Sequence, residues 1–310
     1  MMIVDDVDVE ILKRFQSSDE VWRGTITELS ESLDVSEKTI ENRLRRLEET
    51  RVILYYDLNL TPWIYGGTWV WGEAMIGLDN PVSSTTVIEA LKAKLTYFDD
   101  STSYTVVPTG SSHDLSVTFH AKGEEDFEQQ VEVIKGVMGV AYVRGVKLEQ
   151  MKVSSLELDD ADWRMIAALK RVLKRGPSEL CYKLGIGQDE IRLSRLIEAR
   201  KLFFLAGMDF ARIENWSHIH VKVTFHEKLI PEEKKKLKEA GIAPPHRDWN
   251  RVDQKTLAIE PRDLRELKEM TNKIINAGMK IDSLSILDSY LPSQPWLNKL
   301  LLQAHFSSHS

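Results

Sequence analysis

Two stretches of this chain repeat one another, and that repetition limits its folding options more than any other feature. Asp8–Phe15 (DVEILKRF) and Asp162–Leu169 (DWRMIAAL) each set an acidic residue ahead of apolar residues at helical spacing. Each is followed by a longer related passage, Thr25–Leu54 in the first copy and Pro177–Leu205 in the second, with Leu29, Leu33 and Val35 answered by Leu180, Leu184 and Ile186. A period of about 150 residues is too long for a solenoid unit and describes two copies of a multi-element module. A length of 310 residues leaves room for two or more domains.

Each repeated passage reads as helix, short turn, helix, then an extended apolar run. Ser36 is a good N-cap for the second helix of the first copy. Along that helix Ile40, Leu44 and Leu47 form one buried stripe, and the far side carries Lys38, Asn42, Arg45 and Arg46. RVILYYDLNL is rich in β-formers and predicts a two-stranded wing. This is a winged helix-turn-helix pattern. A helix of this size enters the major groove, where Asn and Arg read base edges and Lys holds phosphates. Ser36, Lys38, Thr39, Asn42, Arg43, Arg45 and Arg46 are therefore candidate DNA contacts, with Arg192 and Arg195 from the second copy. The alternative is a solvated charged face. Residues 1–60 hold 8 basic and 14 acidic residues, against 11 and 9 in residues 156–212. The second copy, with Lys170, Arg171, Lys174 and Arg175 at one helix end, reads as a phosphate-touching or packing module.

Between these passages the first half reads β-α-β-β-α-β. A strand at 67–78 is followed by a helix (Thr85–Leu95), a hairpin (Ser101–Gly110 and His113–Gly123), a helix (Glu124–Met138) and a strand (Ala141–Val153). The second half repeats that order more loosely. It has a strand at 218–225, a helix at 232–240, strands in PHRDWNRV and QKTLAIE, a helix at 261–278 with Pro261 at N1 and Gly278 at C′, and a closing strand. The expected fold class is α+β, with two winged helix-turn-helix domains (1–60 and 154–212), two ferredoxin-like domains (61–153 and a divergent 213–290) and a tail at 291–310. PSQPWLNKLLLQAHF in that tail predicts an amphipathic helix that docks on a neighbour.

A set of passages in the first half resembles the leucine-responsive and asparagine regulator (Lrp/AsnC) family. They are the start around Asp6, Asp8, Ile11 and Leu12, ELSESLDVSEKTIENRLRRLEETRVI, DLNLTPWIYGG (Asp57–Gly67) and TGSSHDLSVTF (Thr109–Phe119). The second half matches in its helix-turn-helix and afterwards only in element order. The resemblance implies a transcription regulator whose partners are double-stranded DNA and a small, amino-acid-like effector held near Thr109, Gly110 and Asp114. It also implies pairing of the two halves within one chain and further homo-oligomers. For the effector turn, the alternative is a hairpin capped by Asp114.

Alternation along the strands sends His120, His218 and His220 to the face opposite the apolar core. If the two sheets pair, these three could bind a metal, respond to pH, or ligate haem-type iron. The plainer reading is polar residues on a half-exposed sheet, and the expectation is no metal and no cofactor. The histidines also connect to proteins resembling this family that are enzymes, the sirohaem decarboxylases, which occur as two related halves. Against that reading, RVILYYDLNLTPW lacks an Arg- and His-rich stretch, and no GxxxxGK[ST] or HExxH motif occurs, so no catalytic residue is assigned. A third reading is a non-catalytic docking protein. A net charge of −7 excludes a generally polybasic nucleic-acid coat. The single cysteine, Cys181, excludes an internal disulfide and suits a reducing cytoplasm. No membrane span is expected.

Overall fold

The computed structural model describes residues 1–16, 26–79, 84–106, 114–173, 188–199, 201–224 and 254–307. The expected helix at 232–240, the strand in PHRDWNRV, Cys181, Thr109 and Gly110 lie outside the described residues. The fold is α+β, with helices packed on an antiparallel sheet.

The first head comprises α1 (Asp6–Gln16), α2 (Ile26–Leu33) and α3 (Glu37–Glu49). Ile11, Leu12 and Phe15 of α1, Leu29 of α2, and Ile40, Leu44 and Leu47 of α3 are all buried, as their helical spacing predicts. Asp5 and Asp8 form a reciprocal capping box at the start of α1. Asp5 Oδ1 accepts from the backbone N–H of Val7 and of Asp8, both at 3.1 Å, and Asp8 Oδ2 accepts from Asp5 N–H at 3.1 Å. The same carboxylates then take two arginines from α3. Arg43 Nη1 lies 2.6 and 2.7 Å from the Asp5 oxygens and 3.1 Å from Asp8 Oδ1, and Arg46 donates to Asp8 Oδ2.

The second copy repeats this arrangement atom for atom. Asp159 Oδ1 accepts from Ala161 N–H (2.9 Å) and Asp162 N–H (2.8 Å), and Asp162 Oδ2 accepts from Asp159 N–H (3.1 Å). Arg192 binds Asp159 at 2.6 and 2.7 Å and Asp162 at 3.0 Å, and Arg195 binds Asp162 at 2.6 Å. Asp159 stands just before α6 (Asp160–Leu173), which carries Asp162, and the two arginines lie on α7 (Gln188–Glu198). From the buried aspartate to the first arginine the separation is 35 residues in one copy and 30 in the other. The second copy therefore makes the same contact with a connection five residues shorter.

The apolar run after α3 forms one strand, β1 (Ile53–Leu60), not the two-stranded wing that the sequence predicts. Eight residues without an internal turn signal have nowhere to fold back. Their partner is the equivalent strand of the second half, β6 (Leu202–Asp209), paired antiparallel from Tyr55↔Gly207 to Leu60↔Leu202. Equivalent strands meeting antiparallel is the geometry of an isologous two-fold contact, here made within one chain. Tyr55 lies across Gly207 so closely that a Cβ there would stand 2.4 Å from the ring, so glycine at that position leaves the ring its place. Both heads share one core across this seam. Met2 bridges to Ile213, and Asn215 brackets Val4 with two 2.8 Å hydrogen bonds.

A 3-10 turn (Pro62–Tyr65) leads into β2 (Gly67–Leu78), α4 (Ser84–Lys94), β3 (Phe98–Val106), β4 (Leu115–Ala121), α5 (Gly123–Lys135) and β5 (Val140–Val153). Their sheet order is β3-β4-β2-β5, all antiparallel. Val70, Ala74, Val117 and Phe119 face α4 and α5. In the second half β7 (Ile219–Thr224) pairs with β8 (Gln254–Ile259) and with β9 (Lys280–Pro292), and α8 (Leu264–Asn276) covers Val221 and Val223. The cap of α8 is Asp263, which accepts from Glu266 N–H at 2.8 Å, so Pro261 precedes the helix instead of opening it. Gly278 follows the C-cap with φ 86°. β9 pairs with β3, β6 and β7, which makes one nine-stranded sheet of the described residues. The tail helix α9 (Pro295–Ser307) packs on α6 of its own chain.

Asp162→Ala removes a cap and the acceptor for two arginines, with expected destabilisation of about 2–3 kcal/mol in urea unfolding. The exposed Arg45→Ala change is expected to stay within about 0.5 kcal/mol.

Candidate functional site

On α3, Ser36 is the N-cap, accepting from Thr39 N–H at 3.1 Å, and its hydroxyl also bonds Thr39 Oγ1 at 2.8 Å. Lys38, Asn42 and Arg45 are exposed, one turn apart along the helix. Arg43 and Arg46 do not join them as free cations. Their guanidinium groups are engaged by Asp5 and Asp8, since a carboxylate pair on the neighbouring helix lies within reach of their side of α3. Arg192 and Arg195 are engaged in the same way by Asp159 and Asp162. Hydrogen bonding to Asp5 and then Asp8 outweighs burial and holds Arg43 above its usual range. Arg192 hydrogen bonding brings the Asp159 carboxyl down to about 2. Lys170 is also withdrawn from solvent: it is buried, and its Nζ lies 2.7 Å from Asp57 Oδ1 and 3.0 Å from the Leu58 carbonyl.

Asp114 closes a sheet edge. Its Oδ2 accepts from Leu78 N–H at 2.8 Å, and its own N–H donates to Ile76 O at 2.9 Å.

Behind the heads, the sheet face opposite α4 and α5 is buried and polar. Glu73, Thr102, Ser116 and His120 all lie there with little exposure. His120 stacks on Trp71 and meets Trp63 edge-on at 5.4 Å, with Asp99 Oδ2 at 3.5 Å from its Nε2. Asp99 Oδ1 accepts from Asn59 and Gln294, at 3.2 and 2.8 Å. Lys201, from the second half, is 9% exposed and holds its Nζ 5.7 Å over the Trp63 ring. Burial pulls its amine below the usual lysine range.

His218 and His220 form a separate group. Their Nε2 atoms are 3.2 Å apart, His218 Nδ1 lies 3.3 Å from Glu260 Oε1, and His220 Nδ1 lies 3.1 Å from Tyr104 Oη. His120 does not join them, and among the described residues no cluster of three or more metal-ligating side chains occurs. Alternation found the face on which these residues sit. It carried no signal for Lys13, Tyr104, Lys201 or Glu260, each brought in from a distant element.

No protein-family model matches the chain, and no curated protein matches it in sequence. Solved structures share similarity with it. The sirohaem decarboxylase NirDL aligns over 98% of this chain and 100% of its own, at 11% identity and a TM-score of 0.38. A Neisseria meningitidis transcriptional regulator in complex with L-Met aligns over 50% of this chain and 96% of its own, at 18% identity and 0.31. An AsnC family transcriptional regulator from Agrobacterium tumefaciens aligns over 50% and 97%, at 15% and 0.30. Among the described residues no helix is long and apolar enough to cross a membrane.

Lys201→Met is expected to stabilise the protein at pH 7, because it removes a cation that burial disfavours. A depressed folded-state lysine leaves the unfolded chain binding more protons, so wild-type stability rises toward pH 10.5. The gap between the two proteins, followed by urea unfolding against pH, is expected to narrow over that range.

Proposed function

We propose that the chain is a DNA-binding transcription regulator in which the first head reads the duplex and the second half serves as its built-in partner. The observation that carries this reading is the outward row Lys38, Asn42 and Arg45 on a helix whose two other arginines bolt it to α1. A reading helix held rigidly loses little freedom on entering the groove. Asn42 suits adenine, Arg45 suits guanine or phosphate, and Lys38 with Ser36 and Thr39 suits the backbone at the helix N-terminus. The equivalent helix α7 exposes Ile191 and Glu198, and its two arginines are engaged, so it is assigned a supporting role. The domain scheme of winged heads and ferredoxin-like bodies belongs to the same proposal, as do an amino-acid-like effector and further homo-oligomers.

A second reading, tetrapyrrole chemistry of the sirohaem decarboxylase kind, is favoured by the pairing of buried His218 with half-buried His220. Incubation with sirohaem and an absorbance scan tests it.

In a gel shift against genomic fragments enriched by the protein, Asn42→Ala and Arg45→Ala are each expected to weaken binding about tenfold or more, a loss of about 1–3 kcal/mol. A conservative Arg195→Lys change is expected to leave affinity and salt slope unaltered. No enriched fragment, or equal loss from the α7 variant, overturns the assignment.

A further inference from the structure

We infer that His218 and His220 form a proton-operated contact between the first head and the sheet interior, one that accepts a single added proton and is broken by a second. The inference is independent of the DNA reading, because it concerns the state of the free protein.

The argument starts from donors and acceptors. Two imidazole Nε2 atoms 3.2 Å apart share one hydrogen: one ring donates and the other accepts. The rest of the chain of contacts decides which. Glu260, at the end of β8, is also bound by Lys13 of α1, whose Nζ lies 2.6 Å from its Oε2. An ionised carboxylate only accepts, so His218 presents Nδ1–H to it. A neutral His218 then offers a bare Nε2. His220 must donate its own Nε2–H, which leaves its Nδ1 to accept from the Tyr104 hydroxyl. With both rings neutral the hydrogen bonds therefore all run one way, from Tyr104 through His220 and His218 to Glu260.

One extra proton fits if the direction reverses. His218, protonated beside Glu260, donates Nε2–H to His220. That ring turns Nδ1–H toward the Tyr104 oxygen, and the Tyr104 hydroxyl turns toward the neighbouring Thr102 and Ser116 side chains. Ser116 in turn donates to Glu73. A second proton puts hydrogens on both Nε2 atoms, and the contact cannot survive.

The surroundings supply the electrostatics. Facing the pair are Glu260 after β8, Lys13 and Glu10 from α1, and Tyr104 from β3, with Glu73 of β2 and Asp100 of β3 behind that tyrosine. Phe210 and Trp216 contribute uncharged ring faces, and β8 and β9 set Ala258 and Ser285 opposite His220. Burial pushes Glu260 up, but His218 and Lys13 outweigh it, so its carboxyl lies below the usual carboxylate range. Glu260 thus anchors both α1 and His218, and a break at the histidine pair loosens the body's hold on that helix.

The test is nitrogen-15 NMR of the imidazole rings in the full-length protein, assigned with His218→Asn and His220→Asn and recorded from pH 8 to 5. At pH 8, His218 is expected as the Nδ1–H tautomer and His220 as the Nε2–H tautomer. On acidification the pair is expected to take up one proton where two free imidazoles take up two. Glu260→Gln, whose amide can donate to His218 as well as accept from it, is expected to abolish the fixed tautomers. Mixed tautomers at pH 8, or two independent protonations in the wild type, overturn the proposal. Should the asparagine variants fail to fold, Glu260→Gln and wild type alone still decide it, since unaltered tautomers in that variant also overturn it.

Discussion

Everything on the outer surface of the heads depends on a pair of aspartates that each do two jobs. Asp5 and Asp8 cap α1 through backbone N–H groups and, with the oxygens that remain, receive Arg43 and Arg46 from α3. Asp8 is fully buried, so its charge would be costly without these partners. The cap fixes where α1 begins, and the arginines fix how α3 lies against it. That second constraint aims Lys38, Asn42 and Arg45 outward. The conservation of the device between the halves, down to which oxygen takes which donor, shows that it belongs to the module and not to a task performed by one copy.

The seam between β1 and β6 does for the whole molecule what the aspartates do for a head. It joins two cores into one and places Lys170 of the second half against Asp57 of the first, and Lys201 over Trp63. The extension of β9 across β6, β3 and β7 then joins the two bodies to the seam. The buried polar face is a product of this closure: residues that would be solvated on a lone sheet are enclosed by the other half. Hydrogen bonding among such residues is strong in a low-dielectric interior, which suits Ser116, Glu73 and the histidine pair to relaying a change of proton position.

Local periodicity made much of this legible in advance. The stripe of Ile40, Leu44 and Leu47, the cap at Ser36, the strand at 67–78 and the faces of β4 and β7 follow from spacing along single elements. What spacing does not encode is which distant group meets a side chain. Arg43 finds Asp5 across 38 residues, Tyr104 finds His220 across 116, and Asp99 meets Gln294 across 195. A helical wheel therefore assigned Arg46 to solvent and left its partner out. The strand β1 was recognisable from its β-rich composition, yet its mate was sought next door because short connections are the usual rule. Asp114 shows the same limit: its carboxylate meets the Leu78 N–H at the end of β2, across 36 residues.

The β1–β6 pairing carries one further consequence. Were the halves separate subunits, their union would weaken on dilution, and both would have to remain copies of one gene product. Joined by a continuous backbone, they meet with an effective concentration that does not depend on how much protein is present. Each half is also free to accumulate its own mutations. The lasting likeness of the two capping boxes beside the dissimilar surfaces of α3 and α7 is the imprint of that freedom: scaffold retained on both sides, outward chemistry allowed to drift apart.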